Sequence, residues 1–401
     1  MTTRVRKAGV QIITSRLQRV LAASAAAAVI AGSVLGPARS DTTSTPAAAA
    51  DPSASDTAQV PSVTLSGHGA DLWWADYSPD GKRAVTASSD KTARVWDTAT
   101  GETVLTLAGH DEAVRVAIFS PNGVEIATAC RNGLAKIWDA KTGQEIATLD
   151  GHKEMIEAVA FSPDSGRLVT ASRDSTAMLW DAKTGKRIAD LKGHAEWLSS
   201  VEFSADGTRI LTASSDKTAR VWDGMTGAAL LTLEGHDGLV TSATFSRDGS
   251  KIATSSSDKT GRIWDAKTGQ VLQTLGGHER AALRAAFSPD GSRVVTVSSD
   301  KTGRIYDVSN AALIAVMQGH HKRLIPRVEF SRDGRRIVTA SHDKTASIWD
   351  AKTGAHIAKL AGHSKEVDGA QFSPDGKNVL TASYDRTARI WDLSGLPPAG
   401  D

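Results

Sequence analysis

From residue 61 onward, short β-favouring apolar runs alternate with turns rich in Gly, Asp and Asn, and no stretch carries the i, i+3, i+4 stripe of an amphipathic helix. Residues 103–139 show the grammar. Val104 to Leu107 is a short extended run ahead of Gly109-His110, and Val114 to Phe119 is apolar up to the turn at Pro121-Asn122-Gly123. Two further strands, Ile126 to Ala129 and Ala135 to Trp138, flank an Arg131-Asn132-Gly133 hairpin signal, and Lys141-Thr142-Gly143 leads into the next unit. The pattern predicts an all-β protein.

The unit repeats. Gly-His recurs at His68, His110, His152, His194, His236, His278, His320 and His363, spaced by 42 residues six times and by 43 once. A second marker keeps the same phase: Trp-Asp, once Tyr-Asp, ends at Asp97, Asp139, Asp181, Asp223, Asp265, Asp307, Asp350 and Asp392. Four strands at this period match a propeller blade, and the doubled markers resemble those of the WD-repeat family over residues 61–393. The resemblance implies an eight-bladed β-propeller of four-stranded antiparallel blades. A short segment, Leu393 to Pro398 and three further residues, follows the last Trp-Asp, so the last blade lacks an outer strand. Residues 61–65 are expected to supply it and close the ring, leaving no bare sheet edge. The propeller then spans 61–396, with a short tail at 397–401.

Strand direction assigns two faces. If the first strand of a blade leaves the Gly-His end, the second returns and the third leaves again, so the Gly-His loop and the Ser-x-Asp turn share an upper face. The Ser-Pro-Asp-Gly and Asp-x-x-Thr-Gly turns share the lower one.

Charge and composition refine this reading ahead of the repeats. Residues 1–60 hold six basic and three acidic side chains, leaving 41 basic against 42 acidic in the rest. The near-neutral propeller gives no reason to expect nucleic acid. Residues 1–19 carry five basic residues and no acid, and 20–35 form an apolar run of signal-peptide length followed by small residues. Residues 1–40 are thus read as a signal peptide or an uncleaved signal anchor, with an organellar transit peptide as the alternative. Residues 41–60, rich in Ala, Ser, Thr and Pro, read as a disordered linker. Together they predict an exported protein, periplasmic, secreted or anchored outside the cytoplasmic membrane, touching a membrane only through that anchor. The single cysteine, Cys130, excludes an intramolecular disulfide.

Each unit presents His, Ser, Asp and Trp in fixed order, as in His68, Ser88, Asp90 and Trp96, or His194, Ser214, Asp216 and Trp222. A hydrolytic triad occurs once, beside an oxyanion donor, whereas this set recurs in almost every unit. The family resemblance implies a structural hydrogen-bond chain from the indole through Ser and His to Asp. Two units depart from it: Cys130 and Asn132 replace Ser and Asp in the second, and Tyr306 replaces Trp in the sixth. Both are expected to be less tightly locked. His321, beside His320, adds no metal site, since adjacent residues on a strand face opposite ways. No phosphate loop, dinucleotide fingerprint, GxSxG or HExxH occurs, so neither cofactor nor metal is expected.

Comparing the eight units with one another separates what a blade needs from what varies. Lower-face turns hardly change. Residues three and five positions after the His, and those just before the turn Asp, change freely. Among them Trp73, Arg115, Arg131, Met155, Glu157, Arg173, Trp197, Leu239, Leu283, His342 and Tyr384 form a candidate upper-rim binding site. Large apolar or amphipathic groups beside arginines suit a protein or peptide partner. Trp74 should point away from Trp73, into the packing between blades. The reading is a non-enzymatic, monomeric binding scaffold. The alternative is an enzyme of hydrolase or lyase type using the central channel, for which the rim acids Asp71, Glu157, Glu366 and Asp368 are candidates.

Overall fold

The computed structural model describes residues 60–398. The leader, most of the linker and the last three residues lie outside them, and the expectation of export with them. Thirty-two strands form eight separate four-stranded antiparallel sheets, and no helix occurs among the described residues. The inner strands are Leu72–Tyr77, Val114–Phe119, Ile156–Phe161, Leu198–Phe203, Val240–Phe245, Ala282–Phe287, Arg327–Phe330 and Val367–Phe372, defining blades one to eight. Each meets the inner strands of both neighbours, blade eight to blade one included, so the sheets stand around a channel.

Closure follows the sequence expectation. Ser62–Ser66 is the outer strand of blade eight, with Val63 opposite Ile390 and Leu65 opposite Ala388. Leu65 is fully buried there, so the first and last of the described strands hold one sheet together.

Second strands read as continuous small and apolar runs because both faces are covered: Ala84 through Ser88 are all buried, as are Ile126 through Cys130. Blades also bind one another through lower-face arginines. Arg209 donates to the Ala266 and Gly249 carbonyls at 3.2 and 2.6 Å, and Arg293 to Ala351 and Gly334 at 2.7 and 3.0 Å. These guanidiniums lie over Phe245 and Phe330 of the next blade. The Trp-Asp aspartate closes a turn beneath: Asp223 accepts from the Met225 and Thr226 N–H groups at 3.0 and 2.8 Å.

The blade lock differs from expectation in one member. The indole of Trp222 donates to Thr212 Oγ1 at 2.9 Å, Thr212 meets His194 Nε2 at 2.8 Å, and His194 Nδ1 meets Asp216 at 2.7 Å. Blade one repeats this with Trp96, Thr86, His68 and Asp90. Threonine, not serine, receives the indole. Ser214 and Ser88 lie two residues nearer the turn, beyond its reach, and accept the N–H of Asp216 and Asp90 while donating to loop carbonyls. The network fixes the tautomer: an indole donor on Thr leaves its hydroxyl to donate to Nε2, so Nδ1 carries the proton toward Asp.

The repeat histidine of blade seven is His321, not His320. His321 meets Thr339 and Asp343, 22 residues on as in the other His–Asp pairs. His320 stacks on His356 with centroids 3.6 Å apart, edge-on to Trp349. The extra residue therefore precedes the lock. In blade six, Tyr306 cannot imitate an indole and donates to the Gly276 carbonyl at 2.7 Å.

Candidate functional site: the upper rim and channel mouth

In seven blades the inner strand carries a bulge at one position, leaving Trp73, Arg115, Glu157, Ser199, Thr241, Leu283 and Asp368 out of register with the second strand. These are the residues five positions after the lock histidine. A bulge leaves its residue unpaired and re-aims the side chain, so the scaffold presents this variable position at the channel mouth. The turn residue packs beside it. Its N–H donates to the carbonyl three after the histidine, in pairs such as Ser89 to Asp71, Arg173 to Met155 and Tyr384 to Glu366. In blade seven the corresponding carbonyl is that of Leu324. Leu324 and Pro326 thus hold the places that counting from His320 would give to Arg323 and Ile325, and Ile325 is fully buried. Pro326 has no N–H for the ladder, and that inner strand starts late, at Arg327, without a bulge.

Six blades join in one belt. Trp197 of blade four lies under the Arg173 guanidinium, 5.4 Å from its ring centre. Arg173 pairs with Glu157, which also faces Arg115 at 3.5 Å. Arg115 covers Trp73 at 4.3 Å, and Trp73 meets Tyr384 edge-on at 4.8 Å while donating its indole N–H to Ser89. His342 ends the belt, 6.1 Å from Tyr384 and hydrogen-bonded to Asp368 at 3.2 Å. Burial opposes the charge on Arg115, but Glu157 and Asp368 outweigh it and raise its pKa. Burial likewise opposes ionisation of Asp368, yet His342 and Arg115 hold its carboxyl below the usual range.

Sequence reasoning placed these residues on one rim but misjudged how open some are. Met155 and Tyr384 expose 8% and 9% of their surface, so Met155 is core and Tyr384 presents an edge. Trp73, Trp197, Arg115 and Arg173 are half-buried, and Arg131 is exposed on the same face. Leu239 and Leu283, half-buried, belong to the opposite arc with Ser199, Thr241, Ser257 and Ser299, where hydroxyls replace charge. A run of exposed aliphatics lies elsewhere: Val104, Ile146, Ile188, Leu230, Leu272 and Ile314 stand at one position of successive outer strands. Being repeated, they belong to the blade rather than to a site.

Below the rim the channel holds groups that periodicity alone did not mark. Trp74 faces Arg327 across the channel, the guanidinium 4.1 Å from its ring centre, rather than only packing between blades. Asp76 and Glu202 each accept the N–H of the next blade's inner strand, at Phe119 and Phe245. Burial pushes their pKa values up to about 6 and about 7, and that of Glu329 up to about 8. Each rim acid has a cation: Asp71 faces Lys365 at 3.4 Å and Glu366 faces Arg323 at 3.1 Å.

Comparison with known proteins agrees with this architecture. Eight segments, 59–97, 101–139, 143–181, 185–223, 227–265, 269–307, 311–350 and 354–392, match the family described as WD domain, G-beta repeat. No curated protein matches the chain. Among solved structures, the computationally designed Ika8 protein is similar at 28% identity and a TM-score of 0.74, over 82% of this chain and 98% of that one.

Proposed function

Since the chain belongs to the WD40 family, whose propellers are typically protein-interaction scaffolds, we propose that it binds a protein or peptide across the upper rim and performs no chemistry itself. One observation carries this: the belt from Trp197 to His342 is built from loop, bulge and turn positions that the repeat leaves free, and it runs through six of the eight blades around the mouth. Half-buried aromatics held by arginines are the groups on which binding energy concentrates. The raised carboxyl pKa values do not favour an enzyme. Burial produces them, and Asp76 and Glu202 are committed to backbone N–H groups of neighbouring blades. The basic and then apolar N-terminus supports export or anchoring outside the cytoplasmic membrane, which fractionation with N-terminal mass spectrometry tests.

The binding test uses a partner captured with the full chain from its native source. Trp197→Ala, Arg173→Ala and Arg131→Ala should each shift stability by no more than about 0.5–1 kcal/mol, while at least one weakens affinity by about 1 kcal/mol or more. Lys183→Glu and Lys267→Glu, in the lower turns, should bind normally. Normal binding by all three rim variants, with loss in the lower ones, moves the site to the opposite face.

A further inference from the structure

Two guanidiniums in the channel make no close ion pair among the described residues. Arg284 and Arg327 occupy the same place, one residue past the bulge position, on the inner strands of blades six and seven. They line a cavity of about 200 Å³ with Trp74, Glu329 and Gln371. Among the described residues neither guanidinium makes a hydrogen bond or an ion pair. Beside them Trp74 Nε1 is buried and donates to nothing. Such a cluster is costly: the half-buried arginines keep their charge with part of their hydration lost, and a buried donor without an acceptor forfeits its hydrogen bond with water.

Neighbouring acids offset their charge only in part. Burial, reinforced by Arg284 and Arg115, lowers the pKa of Arg327 against the pull of the Asp368 carboxylate, which His342 and Arg115 already share. Burial also lowers that of Arg284, against Glu202 and Glu329. Glu329, pushed up by burial to about 8, is largely protonated at neutral pH and supplies little countercharge. Two lower-face arginines behave differently: Arg209 and Arg293 spend their donors on carbonyls of the next blade.

We propose that Arg284 and Arg327 form an anion subsite that receives a carboxylate, from an acidic side chain or a chain end of a segment entering through the rim. Planar guanidinium forks match a carboxylate, and a positive channel with low-dielectric walls favours its entry. The volume is below the roughly 300–1,000 Å³ of small-molecule pockets and suits one inserted side chain. The inference deepens the scaffold reading by giving the partner a chemistry, yet it is tested with different residues and small probes.

The full-length protein would be titrated calorimetrically with sodium acetate, sodium phosphate and three glycine pentapeptides acetylated at the N-terminus. One carries a central glutamate and an amidated end, one a central glutamine and an amidated end, and one a free C-terminus without an acidic side chain. Carboxylate probes should bind and the glutamine peptide should not; the glutamate and free-end peptides distinguish the two sources. Arg284→Met and Arg327→Met should each weaken binding about tenfold or more, with the melting temperature unchanged or raised, because each removes a half-buried charge that its neighbours offset only in part. Binding unchanged in both variants, or by phosphate without any carboxylate, overturns the proposal. So does a fall in melting temperature in both, which would make the arginines structural. Carboxylate binding that survives Trp197→Ala and Arg131→Ala while those variants bind the captured partner normally would sink the rim reading and keep this one.

Discussion

Blades two and four have the same four strands in the same register, but one completes the lock and the other stops halfway. In blade four the chain runs from Trp222 through Thr212 and His194 to Asp216, which also accepts the Ala195 N–H at 3.0 Å. In blade two, Trp138 donates to Thr128 and Thr128 meets His110, both at 2.7 Å, and there it ends. Asn132 accepts from the Cys130 thiol and the Leu134 N–H instead, and His110 Nδ1 is buried without a bond. The Trp–Thr–His half is therefore enough to build a blade. The Asp half ties the Gly-His loop down to the turn. Blade two has a different brace: a Cβ at Gly133 would lie 2.6 Å from the His152 carbonyl, so the loop of blade three packs against a turn with no room for the lysine found in other blades.

Breaking what the two blades share should cost most. Thr212→Val and Thr128→Val each keep the shape of the side chain but strand a buried indole N–H and a histidine. Each should lower unfolding stability by about 2–4 kcal/mol in urea titrations. Equal losses support the comparison. A loss confined to blade four would mean that blade two is held by other contacts. Ser214→Ala, the substitution suggested by the sequence pattern, should cost only about 1 kcal/mol.

That contrast marks where sequence reasoning reached its limit. Two phase-locked markers sufficed for blade number, ring closure and the two faces, because each blade is a unit that must bury its sheet against the next. The variable bulge residues were legible too, since eight units in one chain act as internal comparisons. Thr212 and Ser214 were not separable: both are hydroxyls on one strand face, both recur, and only the reach of the indole chooses between them. The choice between His320 and His321 was available, because the 22-residue spacing from His to Asp holds in the other pairs and selects His321. The channel arginines fall on a position that is variable but lies one residue deeper than the rim. Periodicity gives a residue's face without saying whether a counterion waits beside it.

Removing the half that blade two lacks should have an intermediate effect. Burial works against ionisation of Asp216, but hydrogen bonds from His194 and Thr218 prevail and hold its carboxyl well below the usual range. Asp216→Ala should therefore cost about 1–3 kcal/mol at neutral pH. Because the folded pKa is depressed, that contribution is present above the ordinary carboxyl range and fades as pH falls below about 4. Hydrogen exchange at the Gly-His loop of blade four should quicken while its strands remain protected. Strand exchange rising equally would show that the Asp does more than tie the loop.

The smallest effect comes from giving blade two its missing partner. Asn132→Asp places a carboxylate within reach of His110 Nδ1 and should raise stability at pH 7 by about 1 kcal/mol, the burial of the new charge offsetting part of the gain. Its pH dependence is more diagnostic. In the native blade, burial first and Lys136 second push the His110 pKa down from 6.5 to about 4. Between those values the unfolded chain binds a proton that the folded protein refuses, so stability falls as pH falls through this window. With the new carboxylate beside it the folded imidazole can accept that proton, and urea titrations at three pH values spanning this window should show a shallower decline than in the native protein. Parallel declines would mean that His110 does not govern the acid response of blade two, and that its unbonded nitrogen is satisfied in solution by water.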